Sequence, residues 1–171
     1  MPQRWLNGDV KLTKVFRPEQ YGQALESWRW LDLGGKAPLF ASTFGDVFFR
    51  SPDGFWWLDI LEGKLTRPWG TAEQVQAALN SRSGQSEYLL AELAQAAAEL
   101  GITPADDEVY DFTTSPVLGG AIDPSNIGVI DFAVGVNIAG QLHEQVRDLP
   151  PGRAIAGVVI DDDGRIRLRL A

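Results

Sequence analysis

The chain has 171 residues, a length that suits one domain, and its 44% hydrophobic and 22% charged content is that of a globular protein, which argues against disorder. A formal net charge of -8 disfavours nonspecific binding to nucleic acid or an anionic membrane, which needs clustered Lys and Arg; it suits plain solubility or a basic partner. No cysteine is present, which excludes disulfides, thiolate metal sites and a Cys nucleophile together.

Residues 1–14 hold no apolar core of signal-peptide length. No window approaches the roughly 18 apolar residues that span a bilayer, and a cytoplasmic location is expected. Residues 10–16 are read as a strand. Pro18 starts a helix through PEQYGQALESWRWL, with Tyr21, Leu25 and Trp28 on one face and Gly34-Gly35 as its end.

The period changes from Pro38. Residues 43–67, TFGDVFFRSPDGFWWLDILEGKLTR, read as three short strands joined by two tight turns, Ser51-Pro52-Asp53-Gly54 and Glu62-Gly63-Lys64. In the middle strand Trp56, Leu58 and Ile60 face one way, and Phe55, Trp57, Asp59 and Leu61 the other. Two apolar faces imply a central strand or one covered on both sides. Pro68 should end the third strand's pairing or place it at an edge.

Thr71 and Gln74 have capping-box spacing ahead of a short helix carrying Val75, Ala78 and Leu79. A polar loop over 80–86 leads to the expected longest helix, 86–100. Leu89, Leu93, Ala96, Ala97 and Leu100 are its apolar stripe and Gly101 its cap. Strands are predicted over 108–112 and 127–132, separated by a Gly/Pro/Ser/Asn-rich loop. A helix to Arg147 follows, with Ile138, Leu142 and Val146 on one side. The chain closes with a hairpin, 154–170, in which Ile166, Leu168 and Leu170 alternate with three arginines. Hairpin-joined strands with helices grouped between them define an α+β fold, a mainly antiparallel sheet packed against several helices, in a single domain of residues 1–171.

Little in this pattern suits catalysis. His143 is the only histidine, whereas a triad needs one as base and zinc wants two or more His or Cys ligands; a partly exposed helix residue is the expectation. Asp161-Asp162-Asp163-Gly164 is read as a charged hairpin turn and not a calcium loop, because Arg165 and Arg167 follow it. Gly45 and Gly119-Gly120 lack the spacing of a phosphate cradle. No catalytic, metal-binding or cofactor-binding residue is expected. A buried pocket gathering several of Asp46, Asp59, Asp111, Asp123 and His143 would favour an enzyme instead.

Binding residues are more visible. Of the six tryptophans (Trp5, Trp28, Trp30, Trp56, Trp57 and Trp69), Trp56 and Trp57 must point to opposite faces of one strand. Either both are covered, or an exposed Trp57 beside Asp53, Asp59 and Glu62 forms an aromatic contact with an acidic rim. Asp106, Asp107 and Glu108 form either a solvated loop or a second acidic patch for a basic partner.

The order of WRWL, FGDVFFRSPDGFWWLDILEGKLTR and DEVYDFTTSPVLGGAIDPSNIGVIDFAVGVNIAGQLHEQ resembles a bacterial domain family. That domain forms the C-terminal part of immunity proteins against type VI secretion DNase effectors, within the SUKH-like immunity group. The resemblance runs over about 28–152 and leaves the hairpin 154–170 outside. It implies a cytoplasmic protein, not an enzyme, that binds and occludes a cognate secreted toxin, a nuclease being one candidate, without cofactors. The alternative is a non-catalytic adaptor or scaffold domain.

Overall fold

The computed structural model describes residues 10–171. Trp5 and the first nine residues of the N-terminal stretch read above lie outside them. Five antiparallel strands follow one another as a meander: β1 (Thr13–Lys14), β2 (Ala37–Ser42), β3 (Val47–Ser51), β4 (Gly54–Asp59) and β5 (Lys64–Trp69). The three strands expected within 43–67 are β3, β4 and β5. Pro68 lies in β5, at the sheet's edge, where its missing N–H costs no ladder bond.

Both faces of this sheet are covered. Phe48, Phe55, Trp57 and Trp69 pack against α2 (Ala72–Leu79), α3 (Arg82–Leu89) and α4 (Ala91–Glu99). Val47, Phe49, Trp56 and Leu58 pack against α1 (Pro18–Leu25) and α5 (Phe132–Arg147). The alternation along β3 and β4 sends consecutive residues into different cores. The architecture is α+β with helices on either side of an antiparallel sheet.

Several expectations need correction. Only Thr13 and Lys14 of residues 10–16 pair, against Ser42 and Ala41. The first helix stops at Leu25 and passes into a 3-10 turn, Glu26–Trp28, well before Gly34. Strand β2 was not foreseen; it begins beside Pro38, and its ladder is irregular between Pro38 and Phe40. The polar stretch 80–86 is largely helix, because Ser81 caps α3 by accepting the Gly84 N–H at 3.0 Å. The expected 86–100 helix is broken at Leu90, which sits in the left-handed region (φ 50°). The break rotates the stripe to Ala91, Ala94 and Ala97, and leaves Leu100 62% exposed. Gly101 does follow α4 in the left-handed region, and the Ile102 N–H closes back on Ala97 O at 3.0 Å. The Thr71/Gln74 capping box is formed.

A second ladder joins β6 (Glu108–Phe112) to β7 (Ile127–Asp131), both close to their predicted bounds. The Tyr110 N–H donates to Thr43 O at 2.7 Å, which ties β6 to the β2–β3 turn. The 16-residue α5 is the longest helix of the described residues. It crosses the first 3-10 turn at Gly140, with Trp28 Nε1 donating to Val136 O at 2.9 Å. The chain ends in β8 (Ile155–Ile160) and β9 (Ile166–Leu170). Ile166, Leu168 and Leu170 are only half-buried, because the hairpin lies on α5 rather than in either core. No helix of the described residues is long and apolar enough to cross a membrane.

Candidate functional site

Two tight turns at one end of the main sheet bring a buried and a half-buried acid together. Asp46, in the β2–β3 turn, is 4% exposed. Its Oδ1 accepts the Ile60 N–H at 2.9 Å, and its own N–H donates to Ser42 Oγ at 3.1 Å. Asp59 opens the β4–β5 turn, where its Oδ1 accepts the N–H groups of Leu61 and Glu62 at 3.0 and 3.1 Å. Burial pushes the Asp46 carboxyl well above the usual carboxylate range, and the neighbouring Asp59 pushes it further. Burial likewise raises Asp59 and, on β6, Asp111.

His143 reaches this corner from α5. Its Nε2 lies 2.8 Å from Ile60 O; a carbonyl can only accept, so Nε2 carries the proton in this contact. The other nitrogen abuts the turn: a methyl group at Gly63 would fall 2.5 Å from Nδ1.

Asp46, Asp111 and His143 thus line one pocket together with Tyr110, Leu90 and Ala139. Asp59 stands beside it, near enough to act on Asp46. Asp123 is elsewhere, capping a 3-10 turn at Ser125. This convergence was named above as a mark of an enzyme, and its dimensions decide what it can do. The pocket measures about 60 Å³, room for a few water molecules. Small-molecule sites run to roughly 300–1,000 Å³. Neither ring nitrogen of His143 is directed at a ligand, since one donates to a carbonyl and the other abuts Gly63. The corner is built as a polar lock between α5 and two turns.

The residues expected to meet a partner fall in three places. Asp53 is exposed in the β3–β4 turn, where its Oδ1 accepts from Trp56 Nε1 at 3.0 Å. Asp59 and exposed Glu62 are at the opposite end of β4, roughly 20 Å away at strand rise. Trp57 does not stand beside them as an open ring. It is half-buried edge-on against Tyr88 of α3, with ring centroids 4.7 Å apart. Trp56, on the other face, is capped by the Lys36 ammonium at 4.3 Å.

The third place is the loop before β6. Gln20 Nε2 donates to Asp107 Oδ1 at 2.8 Å, and Glu108 Oε1 accepts the Ala105 N–H at 2.9 Å. Lys14 Nζ donates to Glu108 O at 2.7 Å and also to Ala105 O. Asp106 and Asp107 remain exposed and Glu108 is half-buried. The Phe132 N–H, at the start of α5, donates to Asp107 O, and His143 of α5 meets the β4–β5 turn. The two acidic loops are therefore separated by the Phe132-to-His143 span of α5, roughly 16 Å at helical rise.

Sequence reasoning missed a surface cleft of about 440 Å³ between the first 3-10 turn, α5 and the β8–β9 turn. Trp30 forms one wall with Arg29, Glu26, Glu144 and Arg165 around it, and the Arg147 guanidinium lies 4.9 Å from its ring centre. The WRWL motif held the signal, but only the fold places α5 and the hairpin next to it.

No protein-family model matches the sequence, and no curated protein matches it. Among solved structures, the chain is similar to one described as "Crystal structure of Atu4351 from Agrobacterium tumefaciens", with a TM-score of 0.56 and 18% sequence identity, over 94% of this chain and 76% of that one. At that identity the likeness shows the fold alone.

Proposed function

We propose that this chain is a cytoplasmic immunity protein that binds a cognate secreted bacterial toxin, such as a type VI effector nuclease, and occludes its active cleft. The observation that carries this reading is the distribution of charge. Among the described residues only two ion pairs form, Arg147–Asp148 and Arg167–Asp161, both on the surface. Among the described residues the exposed carboxylates Asp53, Glu62, Asp106 and Asp107 form no ion pair, in a chain of formal net charge -8. A nuclease must hold a polyanion in a basic cleft, and an acidic surface is steered towards such a cleft and can fill it. The loops carrying Asp106–Asp107 and Asp59–Glu62, spaced along α5, are the surfaces assigned to that contact, with Asp53 at the rim. The 60 Å³ volume of the pocket holding Asp46, Asp111 and His143 favours binding over catalysis.

The test is co-expression with the product of the adjacent gene, scored by cell survival and by co-purification. Survival with a stable complex whose association slows as salt rises supports the reading. Co-purification without any toxicity to relieve points to an adaptor domain. A complex indifferent to salt removes the electrostatic argument.

A further inference from the structure

The terminal hairpin has two edges, and the molecule treats them differently. The edge of β9 facing α5 is saturated by side chains. Ile166 N–H donates to Gln141 Oε1 at 2.8 Å, Gln145 Nε2 donates to Ile166 O at 2.7 Å, and Leu168 N–H donates to Gln145 Oε1 at 2.9 Å. Two glutamines of α5 thus occupy the positions that a neighbouring strand's peptide groups would take.

The register fixes which groups of β8 remain. Val159 pairs with Arg167, and the Asp161 N–H donates to Arg165 O at 2.8 Å. Backbone groups alternate in direction along a strand, so those of Val158 and Ile160 point away from β9. Among the described residues nothing accepts from or donates to them. The side chains there are exposed and apolar: Val158 at 37%, Val159 at 43% and Ile160 at 73%. Natural edge strands are protected by charge, proline, shortness or a covering element. Residues 155–160, IAGVVI, carry no charge and no proline.

We infer that the outer edge of β8 pairs antiparallel with β8 of a second copy of this chain, joining two hairpins into one four-stranded sheet. The charges flanking the strand select a second copy. A two-fold axis through Val158 places residues at equal distances before and after it opposite one another. The Arg153 end of one copy then lies next to the turn carrying Asp162 and Asp163 of the other, and the symmetry makes this contact twice. The apolar core IAGVVI is thereby bracketed by opposite charges, the self-complementary arrangement that an isologous interface requires.

Sedimentation equilibrium of the full chain over a wide concentration range tests this. The expected result is a monomer–dimer equilibrium built on the 18.7 kDa chain. Ile160→Lys, at an exposed position that the fold tolerates, should raise the dissociation constant at least about tenfold. Val158→Pro removes the outward-facing N–H and should do the same. Arg153→Asp should weaken the dimer, and adding Asp162→Arg and Asp163→Arg should restore it. A monomer at every concentration overturns the inference. So does a dimer indifferent to both Ile160→Lys and Val158→Pro, with circular dichroism confirming that each variant is folded.

Discussion

Gly140→Ala tests how α5, which carries His143 and the hairpin's glutamines, is held in place. Alanine is the better helix former by about 1 kcal/mol, so propensity alone favours the variant. Packing opposes it. A methyl group at position 140 would fall 2.1 Å from Ser27 Oγ, 2.8 Å from Trp28 Nε1 and 2.9 Å from Trp28 Cδ1. Trp28 is fully buried, and the 3-10 turn has little room to yield. Moving it away breaks two hydrogen bonds, Ser27 Oγ to Asn137 O at 2.7 Å and Trp28 Nε1 to Val136 O at 2.9 Å. At about 1 kcal/mol each these cost about 2 kcal/mol, and overpacking adds about 1–3 kcal/mol. After subtracting the helical gain, the net loss is about 2–4 kcal/mol. Urea unfolding followed by tryptophan fluorescence should show a lower midpoint with an unchanged m-value. In a Ser27→Ala background, which removes the nearest atom and one of the two bonds, the penalty should shrink by about 1 kcal/mol. A Gly140→Ala protein as stable as the parent would refute the close crossing.

Asp46→Asn tests the buried corner. A carboxyl raised above its unfolded value of about 3.9 leaves the folded chain holding a proton that the unfolded chain has lost. The contribution of Asp46 to stability is then fullest below about pH 4 and is lost as pH rises towards the raised value; Asp59 and Asp111 add the same sign, and the lowered Asp53, Asp123 and Asp161 the opposite one. The amide keeps an oxygen for the Ile60 N–H, so the variant should show a flatter decline between acid and neutral pH; identical slopes in the two proteins would refute the shift. Gly63→Ala places a methyl group against the His143 ring at a residue with φ 69°, and should lose at least about 2 kcal/mol by the same urea assay. Combined Glu62→Lys, Asp106→Lys and Asp107→Lys should leave far-UV circular dichroism unchanged and slow toxin association at low salt by at least about tenfold. An unchanged on-rate would place the contact elsewhere.

The strands were legible where the local chemistry was unambiguous. Ser51-Pro52-Asp53-Gly54 and the apolar doublets around it dictate β3, β4 and their turn, and they also announce a sheet covered on both faces. The helix break at Leu90 was not legible. Leucine is a good helix former and a poor left-handed residue, so only tertiary packing accounts for φ 50° there. Helix α3 was read as part of a polar loop, because the run RSGQSE behind Ser81 has no apolar stripe to mark a helix. Asp46, Asp111 and His143 lie far apart in the chain. Their meeting depends on Tyr110 bonding to the β2–β3 turn and on α5 crossing at Gly140, contacts that no periodicity encodes. The separation of Asp53 from Glu62 was implicit in the two turns at opposite ends of one strand; the covering of Trp57 by Tyr88 of α3 was not, because it depends on how α3 packs on the sheet.

The edges of the sheets show how the same chain handles exposed backbone in different ways. At one end of the meander β1 is only two residues long and carries Lys14. At the other, β5 presents Lys64, Arg67 and Pro68. Each device discourages a further strand from adding. On the terminal hairpin, β9 is closed by Gln141 and Gln145, residues whose only mapped role beyond the helix is to satisfy that strand. In β8 the one comparable device is the irregular register between Ile155 and Gly157, which ends immediately before Val158. Of these four edges three carry a specific chemical protection, while β8 combines outward peptide groups with β-branched side chains. A single lysine would close such an edge, as at β1 and β5. An apolar strand between Arg153 and Asp162–Asp163 is what an edge used for pairing requires.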